Sequence, residues 1–359
     1  MKSFLLNFIL LFILADLTSA QTVNSGFKKI YSFALDGEIK KALEYLESTD
    51  KDSLTEKEKF FKTEFELRFK GESDESNFLL EKNSSIYELI LIYRDYWRNS
   101  FLNQSVNSDS ILIQKLAGFF EINISGNADS VGSSLEGQID ASLKKYISDK
   151  NLKTTGFGKT GKFYDLLVWK TESDTNFSFN LKDETIKCKV VFMDDFITLG
   201  WEEYSTIGKY YPGGWATRDA LYCVRKAYDI KSENFLISYL AHEGRHFEDY
   251  KLFPKLSGAD LEYRAKLTEL SLLNETLINV IEHFITNSNY ESDNAHSIAN
   301  YCVIRDMSGK IFGNEFESKI SRWKSVKTDS IHESAYSLFN ENTSMLKKEG
   351  ADVEKFIKK

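Results

Sequence analysis

His242, Glu243 and His246 stand in the run His242-Glu243-Gly244-Arg245-His246. Two histidines four apart lie on one face of an α-helix, about 6 Å apart across one turn. Imidazoles so placed reach a single metal ion. The glutamate after the first projects beside that face, within reach of a water on the ion. The chemistry this spacing serves is metal-assisted hydrolysis, with Glu243 as general base. The chain has only 5 histidines in 359 residues, so two of them in one such motif are hard to ascribe to composition.

A hydrolytic zinc site takes three protein ligands and keeps one position open. The third ligand must come from another segment. Pro254 ends the motif helix, because proline cannot continue it. Gly258 and Asp260 then break and cap the chain, and a second helix starting at Asp260 presents Glu262 in its first turn. The short turn over residues 254–258 brings the two helices antiparallel, with Glu262 near the histidines. Glu269 lies two turns further, about 10 Å along the axis, so it and Glu262 cannot share one ion on a regular helix. Either is open as the third ligand. Asp249 follows His246 by three residues and is expected to hydrogen-bond a histidine rather than bind the ion. A metzincin site needs a glycine and a third histidine soon after the second, and residues 247–252 have neither.

Residues 221–270 resemble the gluzincin metallopeptidases. In that group, as in thermolysin, an HExxH helix is followed by a helix that carries a glutamate ligand. Glu262-Tyr263-Arg264-Ala265 is similar to the Glu-x-x-Ala run on the ligand helix of some gluzincins. The resemblance implies a zincin-like catalytic domain and a Zn2+ ion held by His242, His246 and Glu262. It implies Glu243 as general base and a peptide or protein substrate. The spacing from His246 to Glu262 is shorter than in thermolysin, and Lys266 stands where many relatives have an aspartate that orients a histidine. Such sites use a histidine or tyrosine to stabilise the oxyanion. His296, expected near the start of a later helix, is a candidate for that catalytic role, with Tyr263 and Tyr301 as further candidates of the same rank. In zincins a strand before the active-site helix pairs with extended substrate, a role expected here of a strand over 221–228 led in by a turn at 211–215.

The two other histidines are expected to stand apart. On a straight continuation of the Glu262 helix, His283 lies about 30 Å away along the axis. His332, in an amphipathic C-terminal segment, is expected to be solvated. The lysine-rich end from Tyr336 to Lys359 is read as a solvated terminal helix.

The elements that must position these residues follow from patterning. Residues 1–20 read as a secretory signal: Lys2, an apolar run over 4–14, then Thr18-Ser19-Ala20. Export, to the medium or the periplasm, is expected. Residues 21–128 carry apolar side chains at helical spacing, with Gly37 as a break, and are read as a helical domain or cap; any protein partner would bind there. Residues 34–46 faintly resemble a tetratricopeptide hairpin. Residues 129–359 are read as the metallopeptidase domain. A Ser/Gly/Asn-rich linker is expected at 126–137, a helix at 139–147, strands at 163–169, 177–181 and 186–192, and the motif helix opening at Ser232. Helices, then strands, then helices predict an α+β fold, mainly helical, with the sheet segregated.

The composition, 42% hydrophobic with 14% aromatic, has ample core-forming material. A formal net charge of −8 argues against a nucleic-acid partner. The apolar run at 4–14 is too short to span a bilayer, so no stable membrane span is expected in the mature chain. Cys188, Cys223 and Cys302 are expected to be buried, with at most one disulfide. An inactive zincin-like binding protein and a zinc amidase acting on a non-protein amide are the rival functions.

Overall fold

The computed structural model describes residues 25–50, 54–71, 85–103, 105–122, 134–292 and 294–357. The expected signal peptide lies outside them. The fold is α+β and mainly helical, with the helices of the metal motif following the strands. No helix among the described residues is long and apolar enough to cross a membrane. The chain divides into two compact units, and it crosses from the first to the second at Thr171, returns at Met193 and leaves again after Pro212.

The first unit opens with a hairpin of α1 (Ser25–Leu35) and α2 (Ile39–Glu47) turned at Gly37, whose φ of 74° favours glycine. Then come α3 (Glu56–Lys70), α4 (Tyr87–Leu102), α5 (Ser108–Phe119) and α6 (Leu135–Ser148). A full capping box starts α3: Thr55 accepts from the Glu58 amide and Glu58 from that of Thr55. Of the linker expected at 126–137, residues 126–133 lie outside the described residues and 135–137 are already helical: the Ser134 hydroxyl caps α6 and accepts from the Gly137 amide. Aromatic rings fill this core, among them Phe27, Phe61, Phe65, Trp97 and Phe101.

Strands β1 (Lys153–Thr154), β2 (Gly158–Thr160), β3 (Phe163–Asp165) and β4 (Leu167–Trp169) complete the unit, with a later β7 (Thr198–Leu199) and α7 (Trp201–Ser205). β4 pairs antiparallel with both β1 and β7. Asp165 is buried, its Oδ1 accepting from the amides of Leu166 and Trp201 at 2.9 Å. Burial pushes its pKa up to about 7. Glu202, also buried, is raised by burial and then by Asp165. An unfolded Asp titrates near 3.9. Between about pH 4 and 7 the folded chain therefore holds a proton that the unfolded chain has released, and stability falls as pH rises through that window. Asp165→Asn keeps the acceptor oxygen. The fall in melting temperature from about pH 5 to 8 should be shallower in that variant than in the parent.

In the second unit β5 (Thr171–Leu181) and β6 (Glu184–Asp194) are joined by the two-residue turn Lys182-Asp183, with Lys182 at φ 45°. With β8 (Gly214–Ala216) and β9 (Leu221–Val224) they form one sheet in the order β5-β6-β9-β8. Two expectations change here. Gly214 and Trp215 are not in a turn but pair in β8 with Cys223 and Tyr222. The strand expected over 221–228 stops at Val224, where the chain tightens into a 3-10 turn at Arg225–Ala227. β9 also lies between β6 and β8, so it has no free edge for a substrate; β8 is the terminal strand.

Helices α8 (Leu240–Leu252), α9 (Gly258–Leu270), α10 (Leu277–Thr286), α11 (Ala295–Phe312), α12 (Ile320–Trp323) and α13 (Thr328–Glu349) follow. They close on a core that includes Leu267, Ile281, Val303, Trp323 and Phe339. The terminal helix is solvated on one face only: Ile331, Ala335, Phe339 and Leu346 of α13 are buried, and the amide of Ile357 donates to Asp260 at 2.7 Å. His332 is likewise engaged, its Nε2 lying 2.6 Å from the Leu273 carbonyl. Cys188, Cys223 and Cys302 are buried and form no disulfide.

Candidate metal centre

The Ser232 hydroxyl accepts from the Phe235 amide at 3.2 Å, as an N-cap should. The turn that follows, Asn234–Tyr239, is π-helical, and the chain tightens to α-helix only at Leu240. This wide turn directly precedes His242. Phe235, Tyr239 and Leu240 pack on Val190, Phe192 and Leu221 of the sheet. Gly244 lies against β5: a Cβ there would sit 2.4 Å from Phe179 Cε1, so the third motif position accepts no side chain without a shift. Ser257, not Asp260, caps α9 by accepting from the Asp260 amide, which puts Glu262 in the second turn.

α8 and α9 bring His242, His246 and Glu262 together, with one candidate ligand atom from each within 4.8 Å of the others. Glu262 Oε2 is 3.6 Å from His242 Nε2, and Glu262 Oε1 is 3.3 Å from His246 Nε2. All three residues and Glu243 are fully buried. No hydrogen bond closes on His242 Nε2, on either ring nitrogen of His246, or on the carboxylate oxygens of Glu243. Buried polar atoms are rarely left this way without a partner such as an ion. Two imidazoles and a carboxylate with converging lone pairs form a donor set that suits zinc.

Glu269 points away from the ligand atoms and takes His242 Nδ1 at 3.1 Å. A carboxylate only accepts, so Nδ1 carries the hydrogen and Nε2 turns its lone pair inward. Glu269 thus orients a histidine from the turn after Lys266. Lys266 itself is buried, with Nζ 3.4 Å from Glu262 Oε2. His296 also reaches the cluster, Nδ1 lying 2.9 Å from Glu262 Oε2.

The charges match a cation site. Burial lowers the His242 pKa, but Glu262 and Glu269 outweigh it and raise the group to about 10, so the pocket calls for positive charge there. Burial pushes Glu243 up to about 8, against the pull of His242 and with Glu262 adding to the rise. The Ala216 amide faces Glu243 without closing a hydrogen bond. Glu262 is held low: burial opposes this, but His296, Lys266 and His242 prevail.

Other expected site residues lie elsewhere. Asp249 bonds no histidine; it accepts from Arg264 Nε at 2.7 Å and Nη2 at 3.0 Å, and Arg245 Nη2 lies 3.0 Å away. The two guanidiniums are stronger partners than an imidazole. Tyr263 donates to Asp306 at 2.8 Å, and Tyr301 stacks on Phe316. His283 is not set apart by a long straight helix, because α9 stops at Leu270 and the chain turns before α10. Burial, joined by the charges of Lys266 and His296, lowers its pKa to about 4. Tyr250 was not singled out by the motif reading, although it stands four residues after His246. Its ring lies near parallel to that of His246, with centroids 6.4 Å apart. No protein-family model, curated protein or solved structure matches the chain.

Proposed function

We propose that this protein is an exported zinc-dependent metallopeptidase. The convergence of His242, His246 and Glu262, with Glu243 beside them, is the observation that carries it. Export rests on the signal-like first twenty residues alone. Zinc held there supplies Lewis-acid activation of water and of the scissile carbonyl. His242, His246 and Glu262 hold the ion, and Glu269 fixes the tautomer of His242. Glu243 takes the proton of the attacking water and passes it to the leaving amine. An extended peptide lies along β8, whose outer edge runs on from Ala216 at Glu243. His296, in contact with Glu262 at 2.9 Å, is the histidine available to the oxyanion.

A second reading, a closed metal-binding scaffold without turnover, draws on the complete burial of the triad. Elemental analysis and a peptide-library digest, each with and without chelator, separate the two. Stoichiometric zinc with chelator-sensitive cleavage supports the peptidase; zinc without cleavage supports the scaffold; no zinc ends both.

The roles of the two glutamates differ in a measurable way. Glu269→Gln leaves the three ligands in place and removes only the charge behind His242. Zinc affinity should fall about 10–100-fold, read by competition with a chromophoric chelator. Glu262→Gln should cost more. If the order is reversed, Glu269 is the ligand.

A further inference from the structure

Lys266 follows Glu262 by one helical turn on α9, so the two side chains share a face. Its ammonium stands 3.4 Å from Glu262 Oε2, the one carboxylate within ion-pair reach of it among the described residues. That separation exceeds the roughly 2.8 Å of a charge-assisted hydrogen bond, so the lysine acts on the ligand as a point charge. Lys266 is 5% exposed and Glu262 0%, and water screens a charge little at such depth. Nζ also lies 4.7 Å from the centroid of the Phe284 ring on α10. Glu262 does not depend on this lysine alone for its orientation. His296 Nδ1 lies 2.9 Å from the same oxygen, and His246 Nε2 lies 3.3 Å from the other. Burial works against the charge of Glu262, and His296 and then Lys266 sustain it.

A ligand carboxylate that shares its charge with an ammonium gives less of it to a metal ion, and the ammonium repels a dication directly. Both effects weaken binding, and both leave a bound ion more electrophilic. Resting on the metallopeptidase reading, we propose that Lys266 is a positioning residue of the metal centre. Acting through Glu262, it lowers the affinity of the site for zinc and sharpens the pull of the ion on water and on the scissile carbonyl. A lysine that served only to hold Glu262 in place has the opposite signature: its loss slackens the ligand and weakens zinc binding.

The test compares the full chain with Lys266→Met, which keeps most of the stem and removes the charge, and with Lys266→Gln, which keeps a polar end. Zinc affinity, read by competition with a chromophoric chelator, should rise about tenfold or more in both variants. The rise in melting temperature on adding zinc should exceed that of the parent for the same reason. With zinc saturating, kcat on a peptide that the parent cleaves should fall about tenfold. Damage to the fold lowers affinity and turnover together, so tighter zinc with slower cleavage is a result that a structural lysine does not give. Parental or weaker zinc affinity in both variants overturns the assignment, as does tighter binding with undiminished turnover. A zinc-loaded parent that cleaves no peptide overturns the peptidase reading and leaves the affinity comparison to decide Lys266. A parent that takes up no zinc overturns both.

Discussion

Glu243→Gln should bind zinc as the parent does and lose peptide hydrolysis by about 10²–10⁴-fold, the range a positioned general base supplies. The substitution is nearly isosteric, and the residue is outside the set of converging ligand atoms. It faces the Ala216 amide, toward which a glutamine oxygen can also turn. The variant loses basicity. Burial and the neighbouring carboxylates raise the Glu243 pKa to about 8, against the pull of His242. A carboxylate so raised holds a proton more strongly than an ordinary glutamate and is matched to base catalysis near neutrality. The fold should not suffer, since neither carboxylate oxygen closes a hydrogen bond that glutamine would break. Zinc stoichiometry, melting temperature and digestion of one peptide library, run beside the parent, check all three. Parental cleavage by a zinc-loaded variant would remove Glu243 from the mechanism.

Much of this site is legible in the one-dimensional pattern because helices impose a fixed period. His242 and His246 fall on one face with Glu243 beside it whatever surrounds them, and the turn before α9 is short enough to bring Glu262 back to them. The 3.6-residue period also put Glu269 out of reach of the same ion, and Glu269 does turn to the far nitrogen of His242. What the pattern could not carry is anything decided by competition between partners. Asp249 sits where it could serve a histidine, yet Arg264 comes from another helix and takes it. His283 was placed by extending one helix through a point where the chain turns. His332 and α13 looked solvated from their charges, while the buried stripe at Ile331, Ala335, Phe339 and Leu346 decides the packing. β9 has strand character in its sequence, but only sheet order reveals that β6 and β8 occupy both its edges. The π-turn at Asn234–Tyr239 has no signature of its own.

Asp249→Ala should destabilise the chain by about 3–5 kcal/mol, the cost of leaving a buried charge without its partner. Two guanidiniums share this carboxylate. Arg264 donates to both oxygens and, through Nη1, to Asn342 at 2.8 Å and Thr343 at 2.9 Å on α13. Arg245 ion-pairs with it at 3.0 Å and reaches Glu184 of β6 at 2.8 Å. Both arginines are buried, and the network ties α8, α9, α13 and the sheet where His246 and Glu262 must meet. Asp249 is held below the ordinary aspartate range: burial opposes this, but Arg245 and then Arg264 outweigh it. Its contribution is therefore present above the unfolded pKa near 4 and is lost as pH falls through the folded value. Urea titration in chelator at about pH 7 isolates the effect from metal binding, which would add its own stabilisation. The gap between parent and Asp249→Ala should then narrow as the pH is lowered below about 4, because the parent carboxylate becomes neutral too. A gap under about 1 kcal/mol at neutral pH would mean that solvent or Glu184 already satisfies the arginines, and that His246 and Glu262 are held in register by apolar packing alone.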